Sequence, residues 1–162
     1  PRRHSSAASD VYKRQVTMRA DDTADFHIRW SWYNIARMYN LKAAEFDGTM
    51  AIGYALLNID KEGTPSTKLG PKMGMEPRSL TRMIKSLEKK GFIEKRHDER
   101  DKRLVKLHLT EQGMKHRQKS RDVVIHFNER LYEEIDHKDL KTCFEVLQKI
   151  NKLIDRDHIY NN

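Results

Sequence analysis

Between residues 24 and 46 the apolar side chains do not keep to a single stripe. Phe26, Trp30 and Tyr33 fall on one side of a helix, and Ile28, Trp32, Ile35 and Tyr39 fall on another. A helix that is apolar on several sides is buried on several sides. In a chain of 162 residues that pattern predicts a subunit interface. Gly48 then breaks the chain, and Thr49 is placed to cap a second helix, MAIGYALLNID. Gly63, Thr64 and Pro65 predict a turn. A short helix around 65–73 follows, which Pro71 should distort or end early. Gly74 turns the chain again, and Pro77 suits the first position of a new helix. That helix runs to Lys90 and is stopped by Gly91. Two short helices joined by a glycine-containing turn predict a helix-turn-helix.

After Gly91 the period changes. FIEKR reads as a strand. In LVKLHLT, Val105, Leu107 and Leu109 alternate with Lys106 and His108, the pattern of a strand buried on one face. The two strands flank a charged loop, so the unit is a β-hairpin. Thr110 caps the next helix, with Glu111 favourably placed in its first turn. Two C-terminal helices close the chain. One carries Val123 or Val124, Phe127, Leu131 and Ile135 as its stripe; the other carries Leu140, Phe144, Leu147 and Ile154. The fold expected is mainly α, with a small β-hairpin beside the helix-turn-helix.

Composition sharpens this picture. The net charge is +8, with 37% hydrophobic and 35% charged residues. A basic balance of this size is compatible with nucleic acid or an acidic surface as partner. No apolar run is long enough to span a bilayer, so no membrane partner is expected. One cysteine, Cys143, excludes an intrachain disulfide framework and fits a reducing cytoplasm. Residues 1–17 show no periodicity and are read as a disordered or non-native tail, with Met18 a candidate start and 18–162 a single domain.

The helix from Pro77 to Lys90 carries the chemistry. Leu80, Met83 or Ile84, and Leu87 face a core. Arg78, Ser79, Thr81, Arg82 and Lys85 occupy the other side. Hydroxyls interleaved with long cations are the residue types that reach phosphates and base edges in a major groove. In isolation a solvated helix face is the better reading. The helix-turn-helix before it and the hairpin after it reverse that judgement. The loop RHDERDKRL holds six consecutive charges, three acidic and three basic. Arg100, Lys102 and Arg103 suit the DNA backbone and the narrow minor groove. Asp101 is close enough to Arg103 to fix it through a forked carboxylate–guanidinium pair. The bland alternative is a solvated tip with weak ion pairs.

Residues 79–113, SLTRMIKSLEKKGFIEKRHDERDKRLVKLHLTEQG, resemble the winged helix-turn-helix of MarR-type transcriptional regulators. The resemblance rests on Leu87-Glu88-Lys89-Lys90-Gly91-Phe92-Ile93, on the Asp101-x-Arg103 wing and on Leu109-Thr110-Glu111-x-Gly113. With the helix order it covers roughly residues 24–158; Pro71 departs from the usual pattern. It implies a homodimer whose dimerisation helices are 24–46 and 111–159, flanking a DNA-binding lobe at 49–110. It implies that the helix from Pro77 enters the major groove and Arg103 the minor groove, on double-stranded DNA with an inverted-repeat operator. It further implies a repressor relieved by a small effector.

Trp30, Trp32, Tyr33 and Tyr54 are candidates to line a pocket for an aromatic or phenolic effector. Core or dimer packing is the competing and commoner role. Cys143 is expected on the apolar side of the last helix, where a thiol is inert. The eight histidines show no paired ligand spacing, and no cofactor is expected. No nucleophile elbow or phosphate-cradling glycine loop points to an enzyme. The leading expectation is a DNA-binding transcriptional regulator. A winged-helix protein-interaction module without specific DNA binding is the alternative.

Overall fold

The structure, a computed structural model, describes residues 19–98 and 101–157. The chain divides into two units between Ala51 and Ile52. The first contains a 3-10 turn, Ala20–Asp22, and helix α1, Ala24–Ala44. Helix α2, Met50–Leu57, begins in this unit, where the Met50 N–H donates to Asn40 Oδ1 at 3.0 Å. It stops at Leu57, three residues short of the stretch its apolar pattern suggested.

In the second unit the order is β1 (Thr64–Pro65), α3 (Ser66–Met73), α4 (Pro77–Lys89), β2 (Ile93–His97), β3 (Val105–Leu109), α5 (Glu111–Glu134) and α6 (His137–Asp157). The sheet is antiparallel, in the order β1-β3-β2. It therefore has three strands rather than the hairpin's two. Thr64 and Pro65, expected only to turn, pair with Leu107 and Lys106. Proline is tolerated there because β1 is an edge strand.

The core is one cluster. Ile52, Ala55, Leu56 and Ile59 meet Leu69 of α3, Ile84 and Leu87 of α4, Phe92 and Ile93, and Leu107 of β3. Within β3 Leu107 is fully buried, at the centre of the predicted alternation. Helix α3 does not end at Pro71. It continues to Met73 because buried Leu69 anchors it and Gly74, at φ +60°, closes it. A side chain at Gly70 would press on Leu80 at 3.0 Å, so this glycine lets α3 and α4 approach closely.

Candidate nucleic-acid interface

Two glycines frame α4. At Gly74 the chain reverses, with the Gly74 N–H donating to Pro71 O at 3.3 Å and the Met75 N–H donating to Gly70 O at 3.0 Å. Pro77 then starts the helix, where a missing N–H costs nothing. At the other end Gly91, at φ +69°, donates to Glu88 O at 2.8 Å while the Phe92 N–H donates to Leu87 O at 2.9 Å. That pair of bonds is the Schellman arrangement, completed by the buried Phe92. Thr110 fastens the same corner. Its hydroxyl donates to Gly91 O at 2.6 Å and accepts from the Gly113 N–H at 3.0 Å. A side chain on Gly113 would stand 1.9 Å from Phe92 O. The Leu-Thr-Glu-x-Gly stretch therefore locks the end of α4 to the start of α5.

The framed helix buries Ile84 and Leu87 and half-buries Leu80 and Met83. Arg78, Ser79, Thr81, Arg82 and Lys85 are all exposed, as expected. Thr81 Oγ1 donates to Pro77 O at 3.0 Å. Among the described residues no carboxylate pairs with Arg78, Arg82 or Lys85, whereas Lys72, Lys95, Arg96 and Lys106 each have one. An uncompensated cationic face is an electrostatic footprint for a polyanion. Glu88 holds Lys95 of β2 at 2.7 Å, tying this helix to the hairpin.

At the hairpin tip Asp101 acts on the backbone. Asp101 Oδ1 accepts the backbone N–H of Arg103 at 3.0 Å. The forked pair expected between the Asp101 carboxylate and the Arg103 guanidinium is not formed. Two residues apart, the carboxylate reaches the main chain first, and the guanidinium has no carboxylate partner among the described residues. Lys102 and Arg103 are exposed. The Lys102 carbonyl is held by His97 Nδ1 at 2.8 Å, a contact the sequence reading did not include. Arg100, also predicted to contact DNA, lies outside the described residues.

The four aromatic candidates are exposed: Trp30 62%, Trp32 59%, Tyr33 58% and Tyr54 49%. Trp30 and Tyr33 stack with ring centroids 6.1 Å apart. A groove of about 590 Å³ lies elsewhere, between α3 and α4, lined among others by Thr67, Pro71, Met75, Leu80 and Thr81. Cys143, expected on a buried apolar face, is exposed. Its helix leaves much of its apolar side uncovered, with Phe144 and Leu147 also accessible.

The MarR family model matches residues 56–105, which include most of the core and both parts of this surface. An HTH-type transcriptional regulator of Bacillus subtilis, YybA, is 30% identical over 122 residues, covering 75% of this chain and 81% of that one. Among solved structures, the S. aureus MepR–DNA complex has a TM-score of 0.73 at 17% identity, covering 80% of this chain and 97% of that one. CouR from Rhodococcus jostii, bound to p-coumaroyl-CoA, has a TM-score of 0.74 at 19% identity, covering 83% and 95%. These two likenesses show the fold.

Proposed function

The chain belongs to the MarR family of DNA-binding transcriptional regulators, and from that premise we propose that it is a homodimeric repressor of an inverted-repeat operator. The observation that carries the reading is the exposed face of α4, whose Arg78, Arg82 and Lys85 lack carboxylate partners among the described residues. A polyanion supplies the missing charge. Arg78, Ser79, Thr81, Arg82 and Lys85 meet phosphates and base edges of the major groove. Arg103 enters the minor groove, Asp101 shapes the turn that presents it, and Arg100 and Lys102 contact the backbone. The helix-turn-helix and hairpin that flank this row of cations favour DNA over a protein partner.

Dimerisation is supported by large apolar side chains left accessible on α1 and α6, among them Leu41, Phe144, Leu147 and Ile154. Residues 24–46 and 111–159 supply this interface and 49–110 the DNA-binding lobe. The exposed aromatics Trp30, Trp32, Tyr33 and Tyr54 are the candidates to contact a phenolic effector, a reading supported by the structure of CouR bound to p-coumaroyl-CoA. Among the described residues no helix is long and apolar enough to cross a membrane, and action in the cytoplasm follows from the DNA-binding role.

The test is selection of duplexes from a random-sequence pool, followed by footprinting. Protection of two half-sites about one helical turn apart supports the reading. Recovery of no common sequence overturns it.

A further inference from the structure

We propose that Asp98 is the positioning residue of the wing: it holds the turn from which Arg103 projects, and acts on DNA only through that turn. The assignment rests on the wing reading above. Asp98 stands at the end of β2 with its side chain only 16% exposed, although it lies in a hairpin tip. Its Oδ1 accepts the Asp101 N–H at 3.1 Å, and its Oδ2 pairs with Lys106 Nζ at 2.6 Å. Its own N–H donates to Leu104 O at 2.9 Å, and the Leu104 N–H donates to Asp101 O at 2.9 Å. Asp101 in turn holds the Arg103 N–H. The bonds form a relay from Asp98 to Asp101 to Arg103, closed back to the strands at Leu104.

The ion pair has a second effect. Lys106 sits directly opposite Arg96 in the β2–β3 register. Like charges placed opposite each other destabilise a ladder. Glu94 pairs with Arg96, and Asp98 pairs with Lys106, so each cation has its own acid. Removing Asp98 leaves Lys106 facing Arg96 uncompensated and frees the Asp101 amide.

The charge of Asp98 makes the proposal testable by sign. An acid beside DNA repels phosphate, so neutralising it should tighten binding if only net charge mattered. Positioning predicts the reverse. The probes are a duplex recovered by the wild-type protein from a random pool and an unrelated duplex of equal length. Asp98→Ala is expected to weaken binding to the recovered duplex by about tenfold, the scale of one charged hydrogen bond. The unrelated duplex should be bound as well or better. In an Arg103→Ala background the same change should cost less than about twofold, because the two residues act as one unit. Asp98→Asn keeps an oxygen for the Asp101 amide but gives up the Lys106 pair, and loses about threefold. It carries the test alone if thermal melting shows that Asp98→Ala does not fold. Unchanged or tighter binding of the recovered duplex by these variants, or a loss fully additive with Arg103→Ala, overturns the assignment. If Arg103→Ala itself leaves binding unchanged, the wing reading falls with it; if only the Asp98 variants are silent, that reading stands and Asp98 has no part in it.

Discussion

Thr110 and Gly91 are nineteen residues apart and joined by a 2.6 Å hydrogen bond from the threonine hydroxyl to the glycine carbonyl. The same oxygen caps α5 by accepting the Gly113 N–H. One hydroxyl thus fixes both the exit from α4 and the entry to α5. Thr110→Val keeps the shape and removes both bonds. It should lower stability by about 1–2 kcal/mol, the range of a lost helix cap, read as an earlier midpoint in denaturant.

Gly113 has a stricter requirement. Its Cα approaches Phe92 so closely that a methyl group would meet the Phe92 carbonyl at 1.9 Å. Gly113→Ala must move backbone against backbone, and is expected to cost about 3 kcal/mol or more. Thermal melting beside Gly74→Ala is informative. At Gly74 a methyl meets nothing within 4 Å, so only its left-handed φ of +60° is penalised and the loss is smaller.

Asp60 gives the fold an acid-sensitive joint. The hydrogen bond from Lys72 Nζ, with one from the Thr64 hydroxyl, holds its carboxyl below the usual carboxylate range. A folded pKa below the unfolded value contributes stability that is present above about 3.9 and is lost as pH falls through the folded value. Asp60→Asn should therefore flatten the dependence of stability on pH on the acid side and leave it unchanged near neutrality. A denaturation series between about pH 2 and 7 measures the difference.

Helix α6 buries Leu140 but leaves Phe144, Leu147 and Ile154 of the same stripe between 38% and 53% exposed. Such a stripe is a contact surface awaiting a partner. Leu147→Glu places a charge in it and should shift the assembly from dimer to monomer in sedimentation experiments. The helix itself should survive, because glutamate is a good helix former.

Much of this was legible in the chain. Gly74, Pro77 and Gly91 act on their immediate neighbours, as does Thr110 in capping Gly113, so their types alone place the end of α3, both ends of α4 and the start of α5. Strand β1 was not legible. Its two residues pair with Leu107 and Lys106, about forty positions away, and two residues carry no periodicity. The wing shows a subtler gap. Its acids and cations were visible, but whether Asp101 grips a guanidinium or an amide depends on backbone geometry that spacing does not specify. Asp98 and His97, which hold the turn, carried no signal beyond their place beside it. The apolar stripe of α6 was visible too, but its exposure, and with it that of Cys143, depends on what covers the helix rather than on its own sequence.

The central claim is that the cationic face of α4 binds DNA. The measurement that tests it most directly is the dependence of affinity on salt for the wild type and Arg82→Ala, on a selected and an unrelated duplex. The account predicts tight binding of the selected duplex that weakens steeply as salt rises. For Arg82→Ala it predicts weaker binding and a log–log slope shallower by about one, the signature of one lost phosphate contact. Equal, weak affinity for both duplexes, with a slope that Arg82→Ala leaves unchanged, would contradict it.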